Sequence, residues 1–315
     1  MFEKPVTVKQ LMEQFDYEQI TGDENSLNRE IRVPDTNRPG LELTGYYQYS
    51  QRKRCVILGI KEMGYISEMT EEAQVSSFEF LTHEKTPCII ITRNLKCPDK
   101  LFEIATRKNF PILRSQDATY RGIVDIVSYL DECLAEMTIV HGGLIQINGT
   151  GVLITGESGM GKSEIALELI KKGYQLVADD RVDCCLIHKQ IVGKSPEILK
   201  GMIELRGVGI VNIAKMYGVA SVLDKAKVDL IIHLEPWAED KEYDRVGIED
   251  KKYEEILGVS IPKLVIPVRE GRSMAVIIES AVTNYVLSSI GQDSGKEIEQ
   301  RVYDLIAKNA KGGVE

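Results

Sequence analysis

Gly151-Val152-Leu153-Ile154-Thr155-Gly156-Glu157-Ser158-Gly159-Met160-Gly161-Lys162-Ser163-Glu164-Ile165-Ala166-Leu167 is the stretch that decides the fold. A run of strand formers leads into G-x-x-x-x-G-K-[ST], and a helix-forming run follows, so strand, phosphate loop and helix stand in the order that the chemistry requires. Glycines let the backbone N–H groups turn inward around phosphates, and the helix N-terminus adds partial positive charge. Lys162 is placed to reach terminal phosphates, and the Ser163 hydroxyl is a ligand type suited to Mg²⁺. The nucleotide-binding residues expected are therefore Gly156, Glu157, Ser158, Gly159, Met160, Gly161, Lys162 and Ser163, holding a nucleoside triphosphate with Mg²⁺. A glycine turn with a solvated lysine is the plainer alternative, and the flanking strand and helix weigh against it.

Working outward, the helix is expected to run to Lys172, where Gly173 ends it, and a strand over Tyr174 to Ala178 runs back. The two segments cover similar lengths, at about 1.5 Å and 3.3 Å per residue. The strand's carboxyl end thus returns to the phosphate edge, carrying Asp179-Asp180 and then Arg181. Two adjacent carboxylates beside a phosphate loop suit metal binding and proton transfer, although Asp-Asp after a strand also occurs in solvated turns.

The chain has 315 residues, enough for two domains, each with its own core. With 43% hydrophobic and 28% charged residues, neither disorder nor a fibrous repeat fits. A net charge of -9 has the wrong sign for a broad nucleic-acid or anionic-membrane surface, so any phosphate site must be local. No stretch of about 18 apolar residues is present, and the amino terminus lacks an apolar leader region. The six cysteines form no zinc spacing, which fits a reducing cytoplasm; neither nucleic acid nor a membrane is expected as a partner.

Thr7 and Gln10 form the pattern of a capping box for a first helix. Strand-like runs at Cys55–Ile60, Cys88–Thr92 and Pro111–Leu113 alternate with helical runs at Glu71–Leu81 and Asp99–Arg107, as in βαβ units. Ala118–Ala135 reads as a helix with Ile123, Ile126, Val127, Leu130 and Leu134 on its buried face. The boundary is set at residue 132, giving an amino-terminal α/β domain with a mainly parallel sheet (1–132) and a P-loop domain (133–315). In the second domain Asn148-Gly149 reads as a tight hairpin turn, Met274–Ile290 as a helix, and Ser294 with Glu297 as the cap of a last helix.

The run from His141 through Gly151–Gly156 to Lys162-Ser163-Glu164, with Leu176-Val177-Ala178-Asp179-Asp180, resembles the bacterial HPr kinase/phosphorylase family. The likeness extends to Arg38–Tyr46, to Ile203-Glu204-Leu205-Arg206-Gly207-Val208-Gly209-Ile210 and to Tyr243-Asp244-Arg245-Val246-Gly247. It also covers Ile266-Pro267-Val268-Arg269-Glu270-Gly271-Arg272, which is similar to the family's phosphorolysis loop, with Glu270 where proline is usual.

The resemblance implies an enzyme that phosphorylates a serine of the phosphocarrier HPr with ATP. It also implies removal of that phosphate with inorganic phosphate, giving pyrophosphate, and a homohexamer that governs carbon catabolite repression. It implies a P-loop kinase core related to phosphoenolpyruvate carboxykinase. The chain shows no H-R-D loop or D-F-G motif of eukaryotic protein kinases. By the same resemblance His141, Lys162, Asp180 and Arg245 are the catalytic residues and Ser163 and Glu204 the metal ligands, with Asp179 a further candidate. Asp180 would take the serine proton and return it in the reverse reaction, and Arg245 would meet charge on the transferring phosphoryl group. His141, expected on a strand next to the P-loop strand, would contact phosphate or orient Asp180. Two competing readings are a small-molecule or carboxykinase-like P-loop phosphotransferase and a nucleotide-gated switch. For the switch, Ala226-Lys227-Val228-Asp229 lacks the asparagine of a guanine-reading motif.

Overall fold

The computed structural model describes residues 5–238, 252–269, 271–292 and 300–304. The chain divides into two compact units, one ending at Ala135 and the other beginning at Glu136. Among the described residues no helix is long and apolar enough to cross a membrane. All six cysteines are free thiols, and only Cys133 is exposed.

The first unit opens with β1 (Val6–Thr7), α1 (Val8–Gln14), β2 (Glu18–Thr21), β3 (Glu30–Ile31), β4 (Thr36–Asn37) and α2 (Gly40–Leu43). It continues with β5 (Cys55–Leu58), α3 (Ile60–Glu68), α4 (Glu71–Leu81), β6 (Ile89–Ile91), α5 (Asp99–Arg107), β7 (Ile112–Arg114) and α6 (Thr119–Cys133). The capping box forms: the Gln10 amide donates to Thr7 Oγ1 at 3.2 Å, and the Thr7 amide donates to Gln10 Oε1 at 2.9 Å. Five strands lie in the order β2-β7-β6-β5-β4, parallel except for β2. Ile57, Ile90 and Leu113 face α1 and α6, whereas Leu58, Ile91 and Ile112 face α3, α4 and α5. Strands covered on both faces have no polar side to show, which is why they read as unbroken apolar runs.

In this first unit one element departs from the sequence reading. The strand expected to reach Ile60 ends at Leu58, and α3 begins at Ile60. The Gly59 amide donates to Glu62 Oε2 at 2.9 Å, so the helix is capped from within by its own third residue. Only Ile66 among its apolar residues is fully buried, leaving too faint a stripe for periodicity to detect.

The second unit begins with β8 (Met137–His141), β9 (Gly143–Ile147), β10 (Thr150–Gly156), α7 (Lys162–Lys171), β11 (Gln175–Ala178), β12 (Arg181–Ile187) and β13 (Gln190–Lys194). Then come β14 (Met202–Leu205), β15 (Gly209–Asn212), α8 (Ile213–Tyr217), β16 (Lys225–Lys227), β17 (Leu230–Pro236), β18 (Lys252–Ile256), β19 (Val259–Val268) and α9 (Met274–Ser289). A six-stranded sheet, β11-β9-β10-β17-β19-β18, carries α7 and α9 on one face and a four-stranded sheet, β16-β13-β12-β8, on the other. Period-two alternation builds both interfaces: Ile145, Val152 and Ile154 pack under the helices, and Leu144 and Leu153 pack against Val182 and Ile191.

The hairpin turn forms as expected, with Asn148 at φ 50° and Gly149 at φ 82° between paired Ile147 and Thr150. Strand β10 runs parallel to β17, and β17 parallel to β19, which brings the carboxyl ends of all three to one edge. Strand β11 is antiparallel to β9, and β9 to β10, so β11 also points toward that edge. The cap expected at Ser294 and Glu297 lies outside the described residues.

Candidate active site

The phosphate loop leaves β10 at Gly156 and enters α7 at Lys162. Gly156, Gly159 and Gly161 have φ values of 143°, 93° and 78°, a region that side chains disfavour. At Gly156 a Cβ would also stand 2.6 Å from the Leu234 carbonyl oxygen of β17. Lys162 Nζ donates to the carbonyl oxygens of Gly156 and Glu157, each at 2.9 Å, which folds the ammonium over the loop. Helix α7 then contributes Ser163 from its first turn.

Strand β11 delivers Asp179 and Asp180 to the same place. Ser163 Oγ donates to Asp179 Oδ2 at 2.8 Å, closing the distance that the helix and strand lengths imply. Asp179 is only 5% exposed, and its other carboxylate oxygen, Oδ1, is buried with no hydrogen-bond partner. Burial pushes the Asp179 carboxyl up from its ordinary range, while Ser163 and the backbone amides of Glu204 and Asp180 pull it down.

Asp180 has a left-handed backbone, φ 62°. The Arg181 amide donates to the Asp179 carbonyl at 2.7 Å, making a three-residue turn with Asp180 at its apex, a conformation that costs energy. The Asp180 carbonyl in turn accepts from the Gly142 amide at 3.1 Å and lies 2.7 Å from His141 Nδ1. A carbonyl oxygen only accepts, so Nδ1 carries the proton. His141 Nδ1 is 3.7 Å from Asp180 Oδ1, and both side chains are open to solvent, 83% and 73% exposed.

His141 is not on a strand next to the P-loop strand. It ends β8, an edge strand of the four-stranded sheet, where it pairs with Arg181 of β12. The chain steps between the sheets at Gly142, where a Cβ would stand 2.4 Å from the Ile154 carbonyl oxygen of β10. His141 therefore reaches Asp180 through the β8–β12 pairing.

Glu204 and Arg206 lie on and just beyond β14, both exposed. They line the same cleft as Ser158, Lys162, Ser163, Asp179 and Asp180. The Arg206 guanidinium comes within 3.4 Å of where a Cβ on Gly159 would be, so this cation faces the loop. Their i, i+2 spacing on a strand is the one sequence signal that both point to the same side.

Ile266, Pro267 and Val268 are the last residues of β19 rather than loop, and Ile266 is buried. They read as loop from the arginine-glycine cluster after them, but parallel pairing with Leu234, Glu235 and Pro236 extends the strand. The turn begins at Arg269, whose carbonyl accepts from the Arg272 amide at 3.4 Å, with Gly271 at φ 82°. The guanidinium carbons of Arg269 and Arg272 lie 5.4 Å and 5.8 Å from the centre of the Trp237 ring. A second depression, lined by Gly159, Met160, Pro236, Trp237, Val268 and Arg269, adjoins the P-loop. Glu270 and the segment Tyr243-Asp244-Arg245-Val246-Gly247 lie outside the described residues.

Two family models match the chain: the HPr serine kinase N terminus over residues 6–130, and the HPr serine kinase C-terminal domain over residues 132–302. The HPr kinase/phosphorylase of Streptococcus equinus is 43% identical over 305 residues, 96% of this chain and 98% of that protein. That of Enterococcus faecalis is 42% identical over 309 residues, 97% and 98% of the respective chains. A solved structure of the Hpr(Ser) kinase/phosphatase from Coxiella burnetii is 35% identical, with a TM-score of 0.47, covering 51% of this chain and 98% of that one.

Proposed function

Because the chain belongs to the HPr serine kinase family, we propose that it phosphorylates a regulatory serine of HPr with ATP and removes the phosphate by phosphorolysis, giving pyrophosphate. The observation that carries the reading is the Asp179-Asp180 turn held against the phosphate loop by the Ser163–Asp179 hydrogen bond. A kinase for a hydroxyl acceptor needs a carboxylate beside the transferred phosphoryl group, and this turn provides one.

In the forward direction the Asp180 carboxylate takes the serine proton as the serine oxygen bonds to the γ-phosphorus and the bond to the β-phosphate bridging oxygen breaks. In the reverse direction an oxygen of inorganic phosphate bonds to the phosphoserine phosphorus. The bond to the serine oxygen breaks, and that oxygen recovers its proton from the Asp180 carboxylic acid, leaving pyrophosphate. His141 fixes the backbone that aims Asp180, and Lys162 meets charge on the phosphates. Arg245 is given the charge on the transferring phosphoryl group on the family resemblance alone. Arg269 and Arg272, in the turn after β19 and both beside Trp237, are assigned to the incoming phosphate, because an attacking anion needs cationic donors.

Ser163, Glu204 and Asp179 suit Mg²⁺: all offer hard oxygens, and the buried, unpartnered Asp179 Oδ1 is a polar atom that a cation or its water would satisfy. The ion would neutralise negative charge on the phosphates of the nucleotide. A carboxykinase-like core, a homohexamer, a cytoplasmic location and a role in carbon catabolite repression belong to the same proposal and rest on the family resemblance. The test is an incubation with HPr, ATP and Mg²⁺ followed by excess phosphate. Phosphoserine should appear and then fall as pyrophosphate is released; label on a small metabolite instead would favour a small-molecule kinase.

A further inference from the structure

We propose that the first unit carries a binding site of its own, for the oxyanion end of a small metabolite, at the carboxyl ends of β4, β5 and β6, with Arg38 and Arg93 as its cations. The inference is independent of the phosphoryl-transfer reading. Within the family resemblance, Arg38–Tyr46 is a stretch that phosphoryl transfer leaves without a role, and Arg38 opens it.

Topology selects the place. Strands β4, β5, β6 and β7 are parallel, so the residues that follow them, Arg38, Gly59, Thr92 and Ser115, stand at one edge of the sheet. Ligands in open α/β sheets sit outside such carboxyl ends. Helix α6 starts at the same edge: Thr119 Oγ1 lies 2.8 Å from Thr92 Oγ1, and no side chain caps the helix.

The chemistry there suits a receptor for an anion. The Glu62 side chain, 8% exposed, accepts at Oε2 from the Gly59 amide and at Oε1 from Arg38 Nε at 3.0 Å and Nη2 at 2.7 Å. A buried ion pair adds little stability over apolar packing, but it fixes the direction of the guanidinium. The Arg38 side chain is still 42% exposed, and its Nη1 has no partner among the described residues. Arg93 follows the buried Thr92, and its amide donates to the Asp117 carbonyl at 2.9 Å. Its side chain is exposed and makes no hydrogen bond or ion pair among the described residues. Strand order puts β5 between the two arginines, and at its end Gly59 is drawn into the cluster: a Cβ there would stand 2.4 Å from Thr119 Oγ1 and 3.2 Å from Glu62 Oε2. One braced guanidinium and one uncommitted one, on either side of a close-packed backbone, fit a carboxylate or a phosphate. Leu41, Ile60 and Tyr120, close to these residues in the chain, are all exposed and offer apolar surface to the organic part of the ligand.

Hydrogen exchange on the full-length protein tests the site, with inorganic phosphate and malonate as separate probes. At least one should slow exchange at residues 59–62, 92–94 and 118–122, and the one that acts identifies the end recognised as phosphate or carboxylate. Arg93→Gln removes an exposed cation that has no partner. It should raise the half-saturating anion concentration in the first unit about 10-fold or more, the scale of one charge-assisted hydrogen bond, and leave any response at the P-loop unchanged. Arg38→Gln alone strands the buried Glu62 carboxylate, so the double variant Arg38→Gln/Glu62→Gln, which keeps a neutral hydrogen-bonding pair, is the second test: it should fold and lose the response. No slowing in the first unit with either anion, or slowing undiminished in both variants, would overturn the assignment. The readout needs no phosphoryl transfer, so it decides the site whether or not HPr proves to be the acceptor.

Discussion

His141 Nδ1 lies 2.7 Å from the backbone carbonyl oxygen of Asp180, a residue held at φ 62°. The imidazole thus braces a strained turn rather than only neighbouring the carboxylate. His141→Ala should lower turnover in both directions by about 100-fold, the scale of an ångström-sized misplacement, with the KM for ATP little changed. His141→Asn, whose side-chain amide offers a donor near the position of Nδ1, should recover part of the loss. Steady-state kinetics would check this; a loss confined to ATP binding would mean that His141 serves the phosphates instead.

Lys162→Ala and Ser163→Ala should each reduce kinase activity by orders of magnitude, because positioning and electrostatics supply most of the rate in phosphoryl transfer. Lys162 sits at the start of α7, away from the packed core, so circular dichroism and melting of Lys162→Ala should match the wild type, whereas Ser163→Ala removes a hydrogen bond from the buried Asp179 and should fold but melt lower. Near-normal turnover in a folded Lys162→Ala protein would contradict the P-loop assignment.

Gly151→Ala should act by the opposite route. A Cβ there would stand 1.7 Å from the Lys227 carbonyl oxygen, and the Gly151 amide donates to Asp229 Oδ2 at 3.0 Å. Forcing these apart should cost at least about 1–3 kcal/mol, the scale of overpacking in a close-packed site. A lower melting temperature with loss of both activities is expected; an unchanged melt would mean that the β10 edge is looser than described.

Arg272→Ala should raise the phosphate concentration needed for phosphorolysis more than it lowers ATP-dependent phosphorylation, because only the former brings an attacking anion to phosphoserine. Parallel assays of pyrophosphate release and phosphoserine formation would measure it. Equal losses would assign the turn to HPr docking or folding.

The P-loop and the return of Asp179-Asp180 to it were legible in the sequence because both depend on local spacing: a motif between a strand and a helix, then two segments of matched length. The three βαβ strands of the first unit were legible from their unbroken apolar runs. The strand carrying His141 was misplaced because pairing with β12 is non-local and the crossing at Gly142 leaves only a glycine as its trace. Arg206, quoted only as part of a motif, was given no role, and Trp237 escaped notice for a similar reason: each meets the phosphate loop's surroundings from a distant strand end.

Asp180→Asn tests the central claim, that one carboxyl group serves both directions. The substitution keeps the shape of the turn but removes the proton transfer, so HPr phosphorylation and phosphorolysis should fall together, by about 100-fold to 10,000-fold. Loss of one activity with the other intact would contradict the shared role and make Asp179, already hydrogen-bonded to Ser163, the better candidate.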